Sequence, residues 1–75
     1  MIRWRRATET MLESEDRVFQ ISRTPVPVGG SHIYRLWRRA TNEVLLALTA
    51  LDEPDSRAQA VAACKQKAED LADGD

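Results

Sequence analysis

Two alternating segments decide the fold: Arg17-Val18-Phe19-Gln20-Ile21-Ser22-Arg23 and His32-Ile33-Tyr34-Arg35-Leu36-Trp37-Arg38-Arg39. The first has the period of two expected of a half-buried strand. Phe19 and Ile21 fall on one face, and Val18, Gln20 and Ser22 fall on the other. The second is rich in the aromatic and branched residues that suit a pleated surface. Between them Thr24-Pro25-Val26-Pro27-Val28-Gly29-Gly30-Ser31 holds two prolines without an N–H and two permissive glycines, which predicts a protruding loop over 24–31.

On the N-terminal side, Ser14-Glu15-Asp16 reads as a tight polar turn. It predicts an earlier strand over about residues 6–13, paired with 17–23, although Glu9, Met11, Leu12 and Glu13 also suit a helix. On the C-terminal side, Thr41-Asn42-Glu43 reads as a turn before the apolar run from Val44 to Leu51. Periodicity does not settle that run. Its length favours a strand, its Leu and Ala content favours a helix, and strand is the reading adopted. Asp52 then reads as an N-cap, with Glu53 and Pro54 in the first turn of a helix over 53–72. Arg57, Val61, Cys64, Ala68 and Leu71 form its stripe. The expected fold is α+β. A three- or four-stranded antiparallel meander over about 6–51 carries one C-terminal helix across one face, in a single small domain over 1–75.

The chain has 75 residues and a net charge of −1. A domain of this size hides only about 60% of the surface its unfolded chain exposes. The near-neutral total conceals an asymmetry. Residues 1–40 hold eight Arg against four acids, and residues 41–75 hold three basic residues against eight acids. One Cys excludes an internal disulfide framework, and one His excludes paired-His metal motifs. No apolar run approaches the ~20 residues of a membrane span. Met1–Arg6 is basic but no apolar h-region follows, so the expected location is cytoplasmic and no membrane is involved.

A helix over one face of a single sheet leaves the other face for solvent or a partner. Tyr34, Leu36, Phe19 and Ile21 are expected beneath the helix. Ile33, Arg35, Trp37 and Arg39 are expected on the open face, with Val18 beside them; Arg38, which alternation sets across the sheet from Arg35 and Arg39, and the 24–31 loop are expected at the rim. Trp and Arg are the side chains most enriched at binding hot spots. The competing expectation is that Trp37 points inward, or that Arg35 and Arg39 lie over it as amphipathic lids.

Little chemistry is legible. Cys64 falls on the buried stripe as a small hydrophobe. His32 has no Cys or Asp at triad or ligand spacing. Glu13, Glu15 and Asp16 read as a solvated turn rather than a metal site. Gly29-Gly30 lacks the context of a phosphate-binding loop. No enzyme, cofactor or metal is expected. The eight N-terminal Arg with two Trp admit a nucleic-acid-binding alternative. Asp52-Glu53-Pro54-Asp55, where a double-stranded-RNA-binding domain has a basic cluster, argues against it.

Trp4 near the start, the acidic turn, Phe19-Gln20-Ile21 and Tyr34-Arg35-Leu36-Trp37 precede an Ala-rich helix. In this the chain resembles the small βββα proteins encoded by bacteriophages and prophages. The resemblance implies a binding protein acting on one host or phage complex, for example as an inhibitor of a CRISPR-type or other defence system. The functional expectation is therefore a non-enzymatic protein-binding module centred on Arg35, Trp37 and Arg39, with Ile33 and Arg38 alongside. A nucleic-acid binder is one alternative. A self-associating protein that dimerises through residues 44–51 is the other.

Overall fold

The computed structural model describes residues 1–27 and 29–74, so Val28 of the predicted loop and Asp75 lie outside the described residues. Five strands, β1 (Trp4–Thr8), β2 (Met11–Ser14), β3 (Phe19–Pro25), β4 (Ser31–Arg38) and β5 (Glu43–Leu51), precede one helix, α1 (Pro54–Gly74). The strands form one antiparallel sheet in the order β1-β2-β3-β4-β5. The α+β class, the meander and the C-terminal helix agree with the sequence reading, whereas the strand count of three or four does not. The segment read as one strand over 6–13 folds into two, and the sheet begins at Trp4. The cause is local: Thr8 Oγ1 accepts the Thr10 N–H at 3.2 Å and closes a turn at Glu9-Thr10. Short hydroxyl side chains compete with the strand ladder in this way.

The other turns are similarly specified. The buried Ser14 hydroxyl accepts the Phe19 N–H at 2.9 Å and donates to Asp16 Oδ1 at 2.6 Å, while Asp16 also takes the Val18 N–H at 3.1 Å. Arg17 and Asn42 adopt φ of 63° and 56°, which lets each hairpin reverse in few residues. The loop is shorter than 24–31. Strand pairing continues through Pro25 and resumes at Ser31, where the Val26 N–H meets the Ser31 carbonyl at 2.9 Å. Gly29 and Gly30, at φ of 100° and 63°, make that reversal in a region other residues rarely enter.

Residues 44–51 are strand, and the helical alternative is excluded. The sequence conceals their alternation, because small Ala47 and Thr49 fall on the open face while Leu46, Leu48 and Ala50 pack against the core. The helix begins one residue later than expected. Its first bond runs from the Arg57 N–H to the Glu53 carbonyl at 2.9 Å, with Pro54 as its first residue. Asp52 is not the cap; its Oδ1 lies 3.6 Å from Arg57 Nη1 and 3.8 Å from His32 Nδ1.

The pairing registers place side chains in rows across all five strands. Arg6, Leu12, Ile21, Leu36 and Leu46 form one row on the helix side. Phe19, Ile21, Tyr34 and Leu36 meet Ala60, Cys64 and Ala68 of α1 in a core sealed from solvent. The short helix side chains let α1 lie close to the sheet. Five strands about 4.8 Å apart span about 19 Å, whereas a helix with its side chains is about 10 Å across. One helix cannot cover such a sheet, and α1 packs on β5, β4 and β3 but not on β1 or β2. At the other end of the helix Glu69 Oε1 accepts the Ile2 N–H at 2.7 Å and ties the N-terminus down. No helix among the described residues is long and apolar enough to cross a membrane.

Candidate interaction surface on the open sheet face

The second row, Arg5, Glu13, Gln20, Trp37 and Val44, and a third, Met11, Ser22, Arg35 and Ala47, lie on the face away from α1. Alternation along β4 adds Ile33, opposite Thr24 and Thr49. Ile33, Arg35, Trp37 and Arg39 therefore share this face, as the alternation predicted. Arg38 does not: it stands on the helix side opposite Phe19, its guanidinium 5.8 Å from the ring centroid and 4.0 Å from Glu43.

Trp37 is half-buried and is not part of the core beneath the helix. Its Nε1–H donates to Ser22 Oγ at 2.8 Å, which ties the ring to β3. Arg35 Nη1 donates to Thr24 Oγ1 at 3.3 Å, and among the described residues no carboxylate lies within ion-pairing distance of it. Arg39 is engaged differently. Its Nη1 sits 3.2 Å from Glu13 Oε2, while Arg5 Nη2 sits 2.8 Å from Glu13 Oε1. The hydrogen bond from Arg5, reinforced by Arg39, holds the Glu13 carboxyl below its ordinary value of 4.5. Glu13 is only 8% exposed, so it is not the solvated turn acid that its sequence neighbours suggested. Glu15 is exposed, and Asp16 serves as a turn acceptor held below its usual range chiefly by the Ser14 hydroxyl.

The face thus has two parts. An Arg5–Glu13–Arg39 clamp, in which one carboxylate bridges two guanidiniums, lies over β1, β2 and the β4–β5 turn. Toward β5 lies an apolar and hydroxyl-bearing strip of Trp37, Ile33, Ser22, Thr24, Thr49 and Val44, with Arg35 as its free cation. Val44 and Leu51, 44% and 53% exposed, continue the strip to the outer strand.

The sequence reading missed a concavity on the opposite side, where the helix stops short of β1 and β2. A groove of about 500 Å³ there is lined by Arg6, Leu12, Ile21, Arg23, Tyr34, Arg57, Val61 and Lys65 among others. The signal was the spacing of Arg57, Val61 and Lys65 along one helix face. Among the described residues no three His, Cys, Asp or Glu side chains gather as a metal site. Burial pushes the Cys64 thiol up to about 11. Compared with protein-family models, with curated proteins and with solved structures, the chain matches none.

Proposed function

We propose that the protein is a non-enzymatic protein-binding module that engages its partner through the open sheet face, with Trp37 at the centre and Arg35 as the charged contact. The observation that carries this reading is the state of Trp37: a half-buried indole, pinned by Ser22, on a face that no other element among the described residues covers. A fixed ring binds with little loss of side-chain entropy. Among the described residues Arg35 has only a hydroxyl partner, so a carboxylate on the partner meets a guanidinium that needs no internal ion pair broken. The partner chemistry that fits is a protein surface presenting an apolar side chain beside an acidic one. The narrower reading, a phage-type modulator of a host complex, rests on the resemblance alone. A nucleic-acid surface is disfavoured by the division of the arginines: Arg5 and Arg39 face Glu13, while Arg6, Arg23 and Arg38 stand on the other side of the sheet.

The test is affinity capture from nuclease-treated bacterial lysate with wild type, Trp37→Ala and Arg35→Glu, each checked for folding by circular dichroism. A protein held by wild type should be lost from both variants, since truncating a hot-spot Trp costs about 2 kcal/mol or more, about 30-fold in affinity. Capture unchanged in both folded variants removes the proposal.

Self-association through 44–51 has one observation in its favour: β5 is an edge strand that exposes Val44 and Leu51. Sedimentation equilibrium at high micromolar concentration decides it, and a strict monomer excludes it.

A further inference from the structure

We infer that the groove between α1 and the β1–β2 hairpin is a binding site for a small amphipathic organic anion, a compact apolar body carrying one carboxylate or phosphate. The site is separate from the open face and does not depend on how that face functions.

Three observations converge on it. The first is its shape: the sheet is wider than the helix that covers it, and the uncovered strip leaves about 500 Å³ beside the helix. That lies within the range of about 300–1,000 Å³ typical of small-molecule pockets. The second is its charge. Arg6, Arg23, Arg57 and Lys65 line the groove, and Glu9 is the acid among its lining residues. Among the described residues Arg6, Arg23 and Lys65 have no carboxylate within ion-pairing distance, and Arg57 has Asp52 at 3.6 Å. Four cations gathered from two strands and the helix, against Glu9 in the lining and Asp52 beside Arg57, leave a net positive rim around a floor of Leu12 and Ile21.

The third is Tyr34. This side chain is 2% exposed, lines the groove, and its hydroxyl is buried without a hydrogen-bond partner. Its β-sheet neighbour on one side is Arg23 and on the other is Leu48. A buried hydroxyl left unpaired carries a desolvation cost that a phenylalanine would avoid. An unpaired hydroxyl on a groove-lining residue, in register with Arg23, is a donor for an anionic oxygen. Leu12, Ile21 and Val61 would take the apolar body, and Arg23, Lys65 and Tyr34 the anionic group.

The test titrates 1-naphthyl phosphate and 1-naphthoate into the full chain and follows backbone amide shifts by NMR, with 1-naphthol and inorganic phosphate as comparisons. Both organic anions should give saturable shifts at Leu12, Arg23 and Val61, binding at least tenfold more tightly than either comparison compound. The Arg23→Gln/Lys65→Gln double variant should lose tenfold or more in affinity. Tyr34→Phe keeps the ring, so it should fold with unchanged or raised thermal stability and bind several-fold more weakly. The inference is overturned if 1-naphthol binds as well as the anions, if inorganic phosphate alone does, or if no saturable shift reaches the groove. It is also overturned if Tyr34→Phe lowers stability while leaving binding intact, because the hydroxyl is then bonded within the fold.

Discussion

Replacing Leu36 with Ala tests how the core is built. Leu36 is fully buried, flanked by Ile21 in β3 and Leu46 in β5, and lies beneath the helix. Truncating a buried Leu to Ala costs about 2–5 kcal/mol, the spread reflecting how far the surroundings collapse into the void. Here collapse is limited. The buried helix residues above it are Ala60, Cys64 and Ala68, all too short to swing into the space. The cost should therefore lie in the upper half of that range, about 3.5–5 kcal/mol. A chain of this length has a total stability of roughly 4–11 kcal/mol, so the variant should be close to unfolding at room temperature. At about 6 °C per kcal/mol for a domain of this size, the melting temperature should fall by about 20–30 °C. Urea denaturation followed by both circular dichroism and tryptophan fluorescence reads the change, with Leu51→Ala, at a site 53% exposed, as the comparison. That second variant should move stability by no more than about 0.5 kcal/mol. A Leu36→Ala cost below about 1.5 kcal/mol, or equal costs for the two, would refute the assignment of faces.

Two further outcomes follow from the titratable groups. Glu13 is held below its ordinary value in the folded state, so it adds stability above that value and loses the contribution as pH falls through its lowered pKa. Wild-type stability should thus drop below about pH 4.5, and Glu13→Gln should be less stable at neutral pH with a shallower acid limb; parallel pH profiles for the two would contradict the Arg5–Glu13–Arg39 clamp. Cys64, buried and with its thiol pushed up to about 11, should resist a chromogenic disulfide reagent at pH 8 and react fully in urea; rapid reaction of the folded protein would contradict its place on the sheet-facing side of α1.

The strands that carry the open face were legible because β3 and β4 each bury one side only, and alternating chemistry records that. The β1–β2 hairpin was not. Arg5-Arg6-Ala7-Thr8 carries no alternation, and its reversal depends on a hydroxyl-to-backbone bond rather than on Gly, Asn or Asp. The role of Glu13 was equally hidden, since one of its two partners, Arg39, comes from a distant turn and arrives only through the register of three strands. Only the helix side of the groove was marked in the sequence, by the spacing of Arg57, Val61 and Lys65; its hollow comes from a mismatch of widths between a five-stranded sheet and a slim, alanine-rich helix. Arg38 was placed at the rim although alternation already set it across the sheet from Arg35 and Arg39, and it stands on the helix side.

The most direct measurement is photocrosslinking from the open face. A benzophenone amino acid replaces Thr49, exposed and opposite Ile33, or Gln66, exposed on the helix. Each protein is irradiated with a partner captured by wild type. A crosslink from position 49 that disappears when Trp37→Ala is added, with none from position 66, is the expected result. A crosslink from position 66 alone, or one from 49 that survives Trp37→Ala, would contradict binding through the Trp37 face.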